Sequence, residues 1–152
     1  MFTCGKFTRP ISPLLFEHQR DPVACQMAAF PPRDREAFLA HWRKILADDQ
    51  VIKRTILLEI EVAGNVVCWE KSGKLFVGYW LGRSFWGQGL ASRAISEFVS
   101  LVPARPIHAH VAKSNVASIR VLEKCGFQRS GETRAVPTGG EVVDEIIYSL
   151  SE

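Results

Sequence analysis

Residues 82–94 read Gly-Arg-Ser-Phe-Trp-Gly-Gln-Gly-Leu-Ala-Ser-Arg-Ala, a glycine-rich turn leading out of one apolar run, Lys74–Leu81, and into a helical one. Gly87 and Gly89 tolerate positive φ and let the backbone come close to a ligand. A helix starting near Gly89 points its unpaired N–H groups and positive dipole end into the turn. The pattern predicts an anion site; the plainer reading is a tight strand-to-helix connection. Two nucleotide motifs fail here. A triphosphate loop needs Lys-Ser/Thr where Gln88 and Gly89 stand, and a dinucleotide fingerprint needs a third glycine where Ser92 stands. The fingerprint also needs an acidic residue about 20 positions on, within a stretch that holds none from residue 99 to 122.

With 152 residues, 47% hydrophobic and 23% charged, the chain is expected to form one soluble domain, 1–152. No apolar run reaches the length of a membrane span, and Cys4, Lys6 and Arg9 interrupt any leader-like core, so a cytoplasmic location without a membrane partner is expected. Cys4, Cys25, Cys68 and Cys125 are too widely spaced for a zinc site, and no metal is expected. The formal charge of +3 is too small to argue for nucleic acid, and no basic stripe interleaved with aromatics supports it. The basic excess is local: residues 83–129 carry seven Lys/Arg against Glu97 and Glu123.

Outward from the turn, Ser12-Pro13 predicts a short helix to about Gln19, and Phe38, Trp42, Ile45 and Leu46 mark one face of a helix over 34–46. Segments 51–61 and 62–70 read as a hairpin turning at Gly64-Asn65 or near Glu61, and Ser72-Gly73 leads into the strand Lys74–Leu81. After the turn, Leu90, Ala94, Phe98 and Leu101 form an apolar stripe. A strand over 106–112 carries His108 and His110 on one face. Asn115 caps a helix with Ala117, Val121, Leu122 and Cys125 inward, ended by Gly126-Phe127. Strands 127–136 and 142–150 join across 137–140. The order of elements predicts a mixed α/β or α+β fold.

The run Trp-Gly-Gln-Gly-Leu-Ala (86–91), followed by Asn115-Val-Ala-Ser118 and Glu123-Lys-Cys-Gly-Phe127, resembles the GNAT N-acetyltransferase superfamily, with the flavour of its ribosomal-protein N-terminal acetyltransferase-like branch. The family pattern Arg/Gln-x-x-Gly-x-Gly/Ala is met at Gly87 and Gly89, with Ser84 at the first position and Arg83 one residue early. The opening strand usual in the family is hard to find in residues 1–9. The resemblance implies an α+β fold with a mostly antiparallel twisted sheet flanked by helices. A bulge would splay the strand 74–81 from the strand 106–112. It also implies acetyl-CoA as cosubstrate, its pyrophosphate on backbone N–H groups from about Phe85 to Ala91 (Phe85, Trp86, Gly87, Gln88, Gly89, Leu90, Ala91), with Arg83 also among the cofactor-binding residues. Pantetheine would pair with the edge at Tyr79 and Leu81, Asn115 and Ser118 would lie near the thiol, and Lys124 near the phosphate end. Homodimers are common in the family.

The implied chemistry is direct attack of a primary amine, from a small molecule or a peptide, on the thioester. An amine of pKa near 10 costs about 4 kcal/mol to deprotonate at pH 7, so a base is useful. Glu59, Glu70, Glu145, His108 and His110 compete for that role. A backbone N–H at Leu81 or its neighbour is the expected oxyanion donor. The family's acid, a Tyr seven residues after the Asn, is replaced by Leu122, which leaves Ser118, Tyr148 or solvent. The same fold without turnover would be an acyl-CoA sensor or interaction module. The acceptor pocket is expected around 27–30 and 134–140, with Phe30 and Trp69 as aromatic lining.

Overall fold

A computed structural model describes residues 2–5, 13–136 and 141–152. The expected Ser12 cap and the 137–140 connection lie outside the described residues. The chain runs β1 (Phe2–Gly5), α1 (Pro13–Arg20), α2 (Pro22–Ala28), α3 (Arg35–Ala47), β2 (Ile52–Leu58), β3 (Glu61–Lys71), β4 (Lys74–Leu81), α4 (Leu90–Ser100), β5 (Ile107–Ala112), α5 (Val116–Lys124), β6 (Gln128–Ala135) and β7 (Val143–Leu150). The strands form one sheet of order β1-β2-β3-β4-β5-β7-β6, antiparallel throughout except between β4 and β5. This is the α+β architecture that the sequence implies.

Two elements escaped the sequence reading. The opening strand exists as β1, paired antiparallel with β2 from Phe2↔Leu58 to Gly5↔Thr55. The seven-residue α2 starts at Asp21-Pro22, where the Asp21 side chain accepts from the Val23 N–H, an N-cap followed by proline at N1. Of the two hairpin turns that the sequence offers, the one near Glu61 forms. The chain turns at Glu59-Ile60, with Glu59 at φ 55°, while Gly64 and Asn65 lie inside β3. Gly64 is there for contact: a Cβ on it would fall 2.1 Å from the Trp80 carbonyl oxygen. Ser72 and Gly73 do form a turn, both at positive φ, joining the directly paired Lys71 and Lys74.

α4 and α5 cover one face of the sheet. Leu90, Ala94, Ile95, Phe98 and Val99 of α4 are buried against Val66, Cys68, Val77 and Ile107. Leu101, expected on that stripe, is 45% exposed, because the buried face is centred one step earlier, on Ile95 and Phe98. On α5, Val121, Leu122 and Cys125 pack inward as expected, while Ala117 is exposed and Ile119 packs inward in its place. On the opposite face Leu15, Phe38 and Trp42 form a second small cluster with Val62 and Val67 of β3, and Lys53 of β2 donates to the Ile45 and Asp48 carbonyls at the end of α3. Among the described residues no helix is long and apolar enough to cross a membrane.

The sheet parts down its middle. β4 and β5 pair in parallel only at Leu75↔Ile107 and Phe76↔His108. Beyond that point β4 stays with β3 to Leu81 and β5 stays with β7 to Ala112↔Glu145. The bulge expected in β4 is not there: the β3–β4 ladder is unbroken, and the register shifts fall between Ile56 and Leu57 and between Arg129 and Gly131. Each half of the sheet is satisfied by its own outer partner, and sheet twist carries the two halves apart.

Gly64 keeps β3 close to β4, so Gly64→Ala should destabilise the fold by about 3 kcal/mol, the upper range of overpacking. Urea unfolding should show a lower midpoint at unchanged slope; an unaltered midpoint would show that β4 can yield at Trp80.

Candidate active site

The glycine turn has the geometry of an anion cradle. Arg83–Phe85 make one turn of 3-10 helix, and Trp86 then donates its indole N–H to the Leu81 carbonyl at 2.9 Å. Gly87 and Gly89 lie at φ 78° and 74°, and a Cβ on either would meet open space. Positive φ alone favours glycine at these positions, and the open space leaves the backbone accessible. Gly89 is the N-cap of α4, contributes no side-chain cap, and accepts the first helical bond from Arg93 N–H. The N–H groups of Leu90, Ala91 and Ser92 therefore have no acceptor within the helix. Arg83 is turned aside onto Asp21, Nε to Oδ2 3.1 Å. Gln88 reaches back to the Ser84 carbonyl at 3.5 Å. Phe85 and Trp86 pack against the main core, so these two side chains anchor the turn.

The N–H groups of Phe85 and Trp86, expected on the pyrophosphate, bond the Gly82 and Arg83 carbonyls instead, at 2.9 and 3.1 Å, so the edge of β4 is a second, separate set of donors. Gly82 N–H donates to Ala63 O at 2.8 Å, and bonds alternate sides along an antiparallel strand. The N–H groups of Leu81 and Tyr79 consequently face away from β3, into the gap left by β5. That the Leu81 carbonyl is reached by Trp86 from outside the sheet fits this orientation.

A cavity of about 910 Å³ runs through the gap, with Tyr79, Asn115, Ser118, His110 and Glu145 among its lining. The Asn115 side chain caps α5 by accepting from Ser118 N–H at 3.2 Å. The Ser118 hydroxyl lies 2.9 Å from the Tyr79 hydroxyl. Burial pushes the Tyr79 phenol above its ordinary value, although its bond to Ser118 opposes this. Across the gap, Glu145 on β7 approaches His110 on β5, Oε1 to Nδ1 3.5 Å. Phe30 and Trp69 line the same cavity. At the other end of α5 the Cys125 thiol donates to the Ser92 carbonyl at 3.3 Å, which sets exposed Lys124 near the first turn of α4.

A donor-lined turn, an open strand edge and a cavity through a parted sheet can be compared with known proteins. The family model described as an acetyltransferase (GNAT) domain matches residues 11–128. The chain belongs to the GNAT acetyltransferase family. An uncharacterized N-acetyltransferase p20 of Bacillus licheniformis is 36% identical over 87 residues, 53% of this chain and 48% of that relative. The match spans about half the relative's length. An acetyltransferase of the GNAT family from Bacillus anthracis shares the fold at TM-score 0.83, with 21% identity over 99% of this chain and 94% of its own. RimL, a ribosomal L7/L12 α-N-protein acetyltransferase solved with coenzyme A, does so at TM-score 0.82, with 19% identity over 99% and 93%.

Within this GNAT fold several residues weighed from sequence stand elsewhere. Glu70 is exposed and, one residue from cavity-lining Trp69, points to the opposite face of the sheet. Glu59 sits in the β2–β3 turn. Tyr148 is buried, with its hydroxyl on Glu123 Oε2 at 3.3 Å and outside the cavity lining. His108 is held by the Ser149 hydroxyl at 2.7 Å. Of the carboxylates weighed as a base, only Glu145 reaches the cavity. Sequence reading gave Tyr79 only a backbone role; its hydroxyl contact with Ser118 spans 39 positions and leaves no local pattern.

Trp86→Phe removes the indole donor on Leu81 and should cost about 1 kcal/mol. A chemical-denaturation midpoint equal to that of the parent would show that the bond does not hold the turn.

Proposed function

We propose that this GNAT acetyltransferase moves an acetyl group from acetyl-CoA directly to a primary amine, with the turn and the β4 edge as the CoA site. The observation that carries the reading is two sets of free N–H groups, those of Leu90, Ala91 and Ser92 at the start of α4 and those of Leu81 and Tyr79 on an unpaired strand edge, joined by the glycine turn. Diphosphate matches the first set by charge and hydrogen bonding. The pantetheine amides match the second as an added strand would.

The reacting groups follow from where the edge ends. The acceptor enters the cavity from the aromatic side, and Glu145, directly or through one water, takes the ammonium proton, with His110 beside it. The freed amine forms the N–C bond at the thioester carbonyl, whose oxyanion takes a backbone donor of the β4 edge that pantetheine leaves free. Collapse breaks the C–S bond, and the nitrogen loses its second proton to solvent, leaving a neutral amide. The Ser118 hydroxyl gives the leaving sulfur a proton that is restored from solvent. Tyr79 donates to Ser118 and orients it, and burial keeps its phenol protonated. This pair supplies from β4 the hydroxyl that Leu122 cannot.

Gly87→Asp and Gly89→Trp should each weaken CoA binding by about tenfold or more, the first by repelling phosphate and the second by filling the cradle. Calorimetric titration with CoA tests this; unchanged affinity in both would remove the turn from the site. Glu145→Gln should lower kcat at pH 7 by roughly 10²-fold. Its deficit should shrink as pH rises toward the acceptor's own pKa, since a free amine needs no base. A deficit constant with pH would assign the base elsewhere. Tyr79→Phe should lower kcat by roughly tenfold, at the weak end of acid catalysis, while KM for acetyl-CoA stays within about twofold; a change confined to KM would make Tyr79 a binding group only.

A further inference from the structure

The polar groups that the cavity leaves without partners are donors and cations. Asn65 is buried, lines the cavity, and its Nδ2 has no hydrogen-bond partner. Arg33, half-buried in the α2–α3 connection, also lines it. Its guanidinium lies over the Phe30 ring at 5.0 Å and has no carboxylate within ion-pair distance among the described residues. Burial depresses the Arg33 pKa, and burial, with a smaller contribution from Arg33 and Lys44, holds His41 below its ordinary value. At the far rim Lys71 and Lys74 are directly paired across the hairpin, so both project from one face, an arrangement of like charges that is unfavourable without a counter-ion. Neither has an ion-pair partner among the described residues. Against these, Glu145 is the one carboxylate among the described lining residues. Two residues in from the lysine pair, on the same face of the hairpin, stands an aromatic wall, with Trp69 stacked on Phe76 at 6.1 Å and 24°.

We infer that the acceptor is an amine that also carries an anionic group, a carboxylate or a phosphate, on a flat apolar frame. The inference rests on the transferase reading for the identity of the cavity. Its ammonium meets Glu145 and its anion meets Arg33 or the Lys71–Lys74 pair, while the frame lies on Trp69 and Phe76. A polycation meets the wrong sign at both rims.

Binding to the protein saturated with CoA reads this preference without turnover. The probes are two matched pairs, phenylalanine with phenylalaninamide and O-phosphotyramine with tyramine, plus spermidine as the polycation. In at least one pair the anionic member should bind about tenfold tighter at low salt, and which pair shows it separates carboxylate from phosphate. Spermidine should be the weakest of the set. Arg33→Met, or the double variant Lys71→Gln/Lys74→Gln, should bring that ratio toward unity; the lysines are exposed, so their variant is informative even if the Arg33 variant folds poorly. Equal affinity within both pairs, tighter spermidine, a ratio preserved in both variants, or no millimolar binding by any probe overturns the inference. Release of CoA thiol from acetyl-CoA is measured separately: an anion preference without turnover with any amine would contradict the transferase reading alone, and turnover without the preference would contradict this inference alone.

Discussion

Everything at the site follows from the short partnership between β4 and β5. Two residue pairs, Leu75↔Ile107 and Phe76↔His108, hold the halves of the sheet together. Past them the backbone of β4 has a ladder on one side only. Unpaired backbone groups in the interior of a sheet are costly, so the opening persists as a place where another extended chain can pair. The groups left over are evenly spaced N–H and C=O groups on a strand edge, and they set the kind of ligand that fits.

The surroundings keep the edge available. Gly64 lets β3 sit against the Trp80 carbonyl, tying the far side of β4 down to Leu81. Trp86 occupies the Leu81 carbonyl and fixes the exit of the chain into the glycine turn. The buried stripe of α4 then orients the N–H groups that start at Leu90 toward the same line. On the second wall, the Asn115 cap places Ser118 against Tyr79, and the β5–β7 ladder places Glu145 near His110. Hydroxyls from both walls thus meet in the gap at Tyr79 and Ser118, while the β4 edge supplies backbone donors along it.

What was legible in the sequence had a local signature. Gly87 and Gly89 announce a positive-φ turn, Asn115 a cap, Gly126 a left-handed helix end at φ 91°, and β-branched runs the strands. What was illegible depended on partners far along the chain. Gly64-Asn65 resembles a hairpin turn locally, and only the nearness of the Trp80 carbonyl explains why the glycine is mid-strand. β1 is too short to show alternation and is defined by its pairing with β2. Glu70 and Glu145 look alike as candidate bases; register alone puts one on the far face and the other in the cavity. Tyr148 and Tyr79 differ in the same way, one locked on Glu123 and the other on Ser118.

The central claim is that the unpaired edge of β4 takes a ligand strand from coenzyme A. Amide hydrogen exchange at individual residues, with and without saturating CoA, tests it most directly. The N–H groups of Tyr79 and Leu81 should become protected by about tenfold or more, while that of Trp80, on the β3 side of the strand, changes far less. Exchange at Tyr79 and Leu81 that is indifferent to CoA would contradict the account.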